Sequence, residues 1–231
     1  RLVMLTVSGN PDYSIDQKQI QSFVDYLREM VEPSDPEQNL SIFLRIQQIA
    51  KGKPTQFFEM HLYGPDHMRE RIEIQNSDGI RESLQFCISP TAFFQPNTRQ
   101  AEKIYSRAIQ LTQPLRGDTV YDLYCGTGSI GLFVSKLAKK LVGVEMVADA
   151  IEDAKENAAL NGVDHARFFA GDVIDICDDA FFAEHGRADV VITDPPRAGM
   201  HEKLVKKLLE IAAPTVVYVS CNPATQARDL A

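Results

Sequence analysis

Apolar residues at Ile20, Phe23, Val24, Leu27 and Val31 recur at steps of three and four, the period of one helix face, and Pro33 ends the run. Around that helix lie short β-prone runs at residues 2–7, 42–46, 57–62, 72–74 and 84–88, separated by turn-rich stretches at 51–54, 64–65 and 76–79. Residues 1–86 therefore predict a small N-terminal α+β domain, in which no catalytic constellation falls. From about residue 98 the rhythm becomes strict alternation. Helices are predicted at 98–111, 129–139, 148–161, 176–183 and 202–212, interleaved with strands at 119–124, 141–145, 167–170, 189–193 and 215–220. Such alternation predicts, for residues 87–231, an α/β domain built on a parallel sheet with helices on both faces. Ligands of such sheets gather at the carboxyl ends of the strands. A further helix is expected from residue 223, where the chain is about to stop, so the sheet is expected to lack its C-terminal strands.

Composition narrows the class. At 231 residues, 44% hydrophobic and 24% charged, the chain is ordinary globular material, and no apolar run approaches the roughly 20 residues that span a bilayer. The N-terminus lacks the pattern of a secretory signal, so a cytoplasmic setting is expected. The 24 basic and 32 acidic residues leave a net charge of −8. The deficit is even, with 9 basic and 13 acidic residues in 1–86 against 15 and 19 in 87–231. This balance counts against a large non-specific nucleic-acid footprint and leaves room for a local basic patch. Cys87, Cys125, Cys177 and Cys221 are spaced by 38, 52 and 44 residues, with no Cys-x-x-Cys pair, so neither a zinc nor an iron–sulfur site is expected.

The unusual residues fall at predicted strand ends. Gly126-x-Gly128-x-x-Gly131 lies between a strand and a helix, where missing Cβ atoms let a ligand approach backbone N–H groups. Glu145 ends the next strand, 23 residues after Asp122, in the position that grips a ribose diol. Together they imply a cofactor containing a nucleoside; the bland alternative is a tight turn and a helix cap. The loop alone does not separate a dinucleotide from S-adenosylmethionine. Asp172, after the third strand, suits an adenine amino group and equally an N-cap. Asp194-Pro195-Pro196-Arg197-Ala198-Gly199 follows the fourth strand, its prolines holding an extended backbone whose carbonyls are free for a planar ligand. Enzymes that methylate nucleic-acid amino groups carry an aromatic residue where Arg197 stands, which disfavours that chemistry. Cys221, after the fifth strand, lies within reach of Arg197 and a helix N-terminus, both of which favour a thiolate and so a nucleophile. Cys87 and Cys177 read as inert core thiols, and Cys125 as a space-filler. Phe93 and Phe94 are either a stacking surface or core.

With Phe93–Asn97, Asp122–Gly128, Gly143–Glu145, Asn157–Gly162, Asp194–Gly199 and Ser220–Pro223 taken together, residues 84–231 resemble the RNA uracil-C5 methyltransferases, which form 5-methyluridine in tRNA or rRNA. The resemblance implies a Rossmann-like class I methyltransferase sheet, with residues 1–86 part of the family's central domain. It implies S-adenosylmethionine held by Gln95, Tyr124, Gly126, Gly128, Ser129, Glu145 and Asp194, with Asp172 as a further contact. It also implies Cys221 as the nucleophile that adds to carbon 6 of the base, and RNA as the partner, with no protein partner inferred. Arg197, or a nearby backbone N–H, is the candidate to stabilise the resulting oxyanion. Family members often carry an N-terminal RNA-binding barrel, some with a cysteine cluster, and this chain has neither. Their general-base glutamate follows the cysteine by more than the ten residues left here, so an incomplete catalytic set is expected. The competing readings are an NAD-dependent oxidoreductase, which gives no reason for Asp194–Gly199 or Cys221, and a catalytically silent RNA-binding module.

Overall fold

A computed structural model describes residues 1–34, 40–75, 81–112 and 117–231; the turn expected at 76–79 lies outside them. The chain forms two compact units, residues 1–69 with 87–90 and residues 70–86 with 91–231.

In the first unit, β1 (Leu2–Ser8), α1 (Gln17–Val31) and β2 (Ser41–Gln48) make a strand–helix–strand unit with β1 and β2 parallel, and β3 (Gln56–Tyr63) returns antiparallel to β2. A capping box starts α1: Asp16 accepts from the Gln19 N–H at 2.8 Å and the Gln19 side chain accepts from the Asp16 N–H at 3.0 Å. The apolar stripe of α1 then packs as its period requires, with buried Val24 against Leu40 and Ile42 and with Phe23, Leu27 and Val31 at the margin.

The second unit contains most of a two-stranded ribbon, β4 (Met68–Gln75) with β5 (Arg81–Ile88), followed by the predicted alternation. Its strands β6 (Thr119–Leu123), β7 (Lys140–Glu145), β8 (Ala166–Ala170), β9 (Val190–Thr193) and β10 (Thr215–Tyr218) form one parallel sheet in the order β10-β9-β6-β7-β8. Successive side chains of a strand face opposite sides. Tyr121, Leu123, Val142, Val144 and Val191 pack against one helical layer, made by α5 (Val173–Ile176), α6 (Asp179–His185) and α7 (Glu202–Ile211). The alternate residues of β6 point toward the other layer, where α2 (Thr98–Thr112), α3 (Ser129–Ser135) and α4 (Ala148–Leu160) lie. α8 (Pro223–Leu230) ends the chain. No helix among the described residues is long and apolar enough to cross a membrane.

Two helices differ from expectation. α3 stops at Ser135 rather than 139, because the N–H groups of Leu137 and Ala138 close tight turns on Val134 and Ser135, and those of Lys139 and Lys140 turn to the Asp118 carbonyl. The helix expected at 176–183 is two helices. Asp178 adopts an extended backbone (φ −99°, ψ 179°) and its side chain accepts from the Phe181 N–H at 2.8 Å, so α6 begins afresh there. Asp178→Ala should cost about 1 kcal/mol in equilibrium urea unfolding, with Asp178→Ser recovering most of the loss. An unchanged midpoint in the alanine variant would show that this cap holds nothing.

Candidate active site

The site grows out of β6. After buried Leu123 the chain turns sharply: Tyr124 takes a positive φ of 62°, and the N–H groups of Tyr124 and Cys125 both reach the Val144 carbonyl on β7, at 2.9 and 3.2 Å. Gly126 and Gly128 continue with φ of 52° and 79°, a region that glycine enters without a Cβ clash, and Gly128 serves as the N-cap of α3. The loop is tied down from both sides. Glu145 accepts from the Gly126 N–H at 3.2 Å and from the Val147 N–H at 2.9 Å, while Asn157 donates to the Thr127 carbonyl at 3.2 Å. Glu145 is thus both a brace for the glycine loop and a support for the start of α4. A carboxylate has about four lone-pair sites, so two backbone N–H groups leave acceptor capacity for a ligand.

Tyr124, Glu145 and Asp172 line one small crevice, walled by the apolar side chains of Val144, Met146, Val173 and Ile174 and closed by His201 and Leu204. Asp172 is also the N-cap of α5, accepting from the Ile174 N–H at 2.9 Å, so its two suggested roles meet in one side chain. Ser129 sits just past the loop and donates to the Tyr105 hydroxyl at 3.1 Å. Gln95 is half-buried and has no hydrogen-bond partner among the described residues. Its neighbour Phe93 places a carbonyl 4.0 Å from where a Cβ on Gly126 would stand, which sets this segment beside the glycine loop. The two phenylalanines part company: Phe94 packs on Phe86 at 5.7 Å between ring centroids, whereas Phe93 is 73% exposed. A larger groove of about 650 Å³ runs along α4 and β8, lined by Lys155, Arg167, Phe168 and Phe169, and contains none of these groups.

Two carboxyls sit beneath the loop. Burial raises Asp122 to about 7, against the pull of the Gly131 N–H at 2.9 Å, with Asp194 and Glu145 adding to the rise. Burial likewise raises Asp194 to about 6. Tyr105, read in the sequence only as one apolar position of a helix, is buried, and burial raises its hydroxyl to about 12. His201 and Met146 also escaped the sequence reading, since neither belongs to a motif and only the packing of α7 and the β7 end brings them to the crevice.

At the other end of the same sheet edge, the segment after β9 carries Asp194 and Arg197, and the segment after β10 carries Cys221. Asn222 joins the two, donating from its side chain to the Arg197 carbonyl at 3.2 Å. The Arg197 guanidinium is exposed and has no partner among the described residues. Cys87, Cys125 and Cys177 are buried, while Cys221 is exposed. Burial pushes the Cys125 thiol well up, which disfavours a thiolate there.

Strand order and crevice together define a class I methyltransferase domain of the Rossmann-like type. The chain belongs to the tRNA (uracil-5-)-methyltransferase family, whose model matches residues 36–231. It is similar to an uncharacterized RNA methyltransferase of Protochlamydia amoebophila, 49% identical over 230 residues that make up 100% of this chain and 52% of that protein. Another, from Chlamydia trachomatis, is 38% identical over 99% of this chain and 54% of its own length. Among solved structures it is similar to the Pyrococcus abyssi tRNA (uracil-54, C5)-methyltransferase in complex with S-adenosyl-L-homocysteine, with 31% identity and a TM-score of 0.64 over 82% of this chain and 43% of that one. The chain spans about half the length of the curated relatives it matches. Family membership removes the nicotinamide reading that the glycine loop by itself leaves open.

The raised Asp122 carboxyl carries a prediction with a definite sign. Its value rises from 3.8 to about 7 on folding, so across that interval the folded state binds more protons than the unfolded one, and stability falls as pH rises. Asp122→Asn removes the titration and keeps an oxygen for the Gly131 N–H. Its Tm relative to the parent should therefore climb between pH 4 and pH 7.5 by about 10 °C, the effect of about 4 kcal/mol at roughly 2–4 °C per kcal/mol for a chain of this size. A difference that stays flat over that range would show that Asp122 ionises alike in both states.

Proposed function

We propose that this chain carries the cofactor-binding and nucleophilic parts of an S-adenosylmethionine-dependent enzyme that methylates carbon 5 of a uridine in tRNA or rRNA. On this reading residues 87–231 are its methyltransferase domain and residues 1–86 part of a central domain. The observation that carries it is the exposed Cys221 beside the Arg197 segment, on the sheet edge that also holds the Glu145 crevice.

The crevice suits S-adenosylmethionine by its chemistry. Val144, Met146, Val173 and Ile174 offer apolar faces to an adenine, and Glu145 and Asp172 offer acceptors to hydroxyl and amino donors. Tyr124, Gly126, Gly128, Ser129 and Gln95 complete the cradle, and Asp194 adds a further carboxyl near a cationic sulfonium. S-adenosylmethionine, when bound, supplies an electrophilic methyl group.

The chain's own residues must make carbon 5 reactive, because in uracil it is too poor a nucleophile. Cys221, as a thiolate, adds to carbon 6; the π pair moves to the carbonyl oxygen at position 4, and electron density rises at carbon 5. Arg197, whose guanidinium has no partner among the described residues, donates to that oxygen as charge develops. Once carbon 5 is methylated, a base takes its proton, the 5,6 double bond reforms and the thiolate leaves. The target base has to leave its stack, and the exposed ring of Phe93 offers it a stacking face.

Bulk RNA from cells grown with 5-fluorouracil tests the mechanism, since fluorine at carbon 5 cannot leave as the proton does and the adduct stays covalent. The complete protein should form an RNA adduct stable to denaturing gel electrophoresis, Cys221→Ala should form none, and Cys125→Ala should keep it. Adduct in Cys221→Ala with loss in Cys125→Ala would overturn the assignment.

Glu145→Ala should weaken S-adenosylmethionine binding by about 1.5–3 kcal/mol, the scale of charge-assisted hydrogen bonds lost at a partly buried site. Glu145→Gln, which keeps an acceptor for the Gly126 N–H, separates loss of the ligand contact from loosening of the loop. Calorimetry giving the parent affinity in both variants would remove Glu145 from the cofactor site.

A further inference from the structure

α8 is fastened to the segment at 197–200 by polar groups in series. Thr225 donates from its hydroxyl to the Arg197 carbonyl at 3.4 Å, next to the bond from Asn222. One Arg228 nitrogen, Nη2, donates to the carbonyls of Ala198 and Met200 at 3.0 and 3.1 Å. Asp229 takes the other side: its Oδ2 accepts from the Met200 N–H and from the Tyr218 hydroxyl, both at 2.7 Å, and its Oδ1 accepts from Arg228 Nε at 2.8 Å. The Asp229 side chain is 2% exposed, against 57% for Arg228. The backbone is drawn in so closely at Gly199, at φ +78°, that a Cβ there would lie 2.6 Å from both Arg228 Nη2 and Asp229 Oδ2.

A buried carboxylate is costly unless every acceptor finds a donor, and Asp229 is supplied by three groups, two of them from other stretches of chain and the third from adjacent Arg228. Burial alone would raise its carboxyl, but the Met200 N–H, the Tyr218 hydroxyl and Arg228 outweigh this and hold it below the usual range. Such a network stabilises little that apolar packing could not match; what it specifies is register. The register in question lies between the segment bearing Arg197 and the turn bearing Cys221. Tyr218 ends β10 three residues before the thiol, and the turn itself is closed by Ser220, whose hydroxyl donates to the Asn222 carbonyl and accepts from the Asn222 N–H, both at 3.0 Å.

Resting on the reading of Cys221 as the nucleophile, we propose that Asp229 and Arg228 are positioning residues that lock the Arg197 segment to the Cys221 turn and thereby set the geometry of thiolate addition. Neither side chain lines the Glu145 crevice, so the lock governs the covalent step and leaves cofactor affinity alone.

The test uses the complete protein and bulk RNA from cells grown with 5-fluorouracil, reading the single-turnover rate of adduct formation, calorimetric affinity for S-adenosylmethionine, and Tm. Asp229→Asn, whose amide turns a donor toward Arg228, should slow adduct formation by about 10–100-fold, the scale of an ångström-sized misplacement, with cofactor affinity within about twofold. Arg228→Lys keeps the charge but not the planar fork and should fall between this variant and the parent. A folded Asp229→Asn that forms adduct at the parent rate, or loses cofactor affinity in step with the rate, overturns the lock. If Asp229→Asn fails to fold, Tyr218→Phe decides in the same assay: slowing of about threefold or more at unchanged affinity supports the lock, and the parent rate overturns it. Cys221→Ala distinguishes the two levels of failure. Adduct persisting there overturns the nucleophile reading and the lock with it, whereas no adduct there beside a parent rate in Asp229→Asn overturns the lock alone.

Discussion

Five strands that run the same way must all end at one edge of their sheet, and that constraint assembles every group of interest here. β6 lies at the centre of the order β10-β9-β6-β7-β8, with β7 and β8 on one side and β9 and β10 on the other. The two loops leaving β6 and β9 therefore diverge, and the crevice lies on the β7 side, at the ends of β6, β7 and β8. A central parallel strand is covered on both faces, which is why Val120, Tyr121 and Leu123 are fully buried. Asp122 breaks that run for a reason visible in its partner: its carboxyl holds the Gly131 N–H and so ties the start of α3 to the strand that feeds the glycine loop.

The edge divides by charge. Toward β7 and β8 it is acidic and apolar, with Glu145 and Asp172 among the residues that line the crevice. Toward β9 and β10 it presents Arg197, without a side-chain partner among the described residues, and the exposed Cys221 thiol, groups that on the proposed function meet an electron-poor ring and the oxyanion that addition creates. Asp194 lies where the two halves meet, its carboxyl raised by burial toward neutrality. On the proposed function, this division would put the cationic methyl donor on the acidic half and the anionic RNA on the half that carries Arg197, in a chain whose net charge is −8.

Local patterns predicted most elements because the periods that bury a helix stripe or a strand face are written in neighbouring residues. The α1 stripe and the strand–helix alternation after residue 98 are of this kind. So are the motifs: Gly126-x-Gly128, Asp194–Gly199 and Ser220–Pro223 each combine residues that ordinary turns do not need. The misses came where a specific hydrogen bond, long-range in one case and a local cap in the other, overrode the period. α3 ends early because Lys139 and Lys140 turn to Asp118, and α6 restarts because Asp178 caps it across what periodicity reads as one helix.

The sequence by itself determined the class of fold, the strand ends at which chemistry is concentrated, and the candidate residues Glu145, Arg197 and Cys221, since these follow from periodicity and from residue types at fixed spacing. Only the tertiary structure decided what each of them touches. It separated exposed Phe93 from packed Phe94 and showed Glu145 bracing the glycine loop as well as facing the crevice. It also brought His201 to the same crevice and buried Asp229 against Met200, 29 residues earlier in the chain. Burial and partnership depend on contacts between distant parts of the chain, and a local pattern carries no record of those.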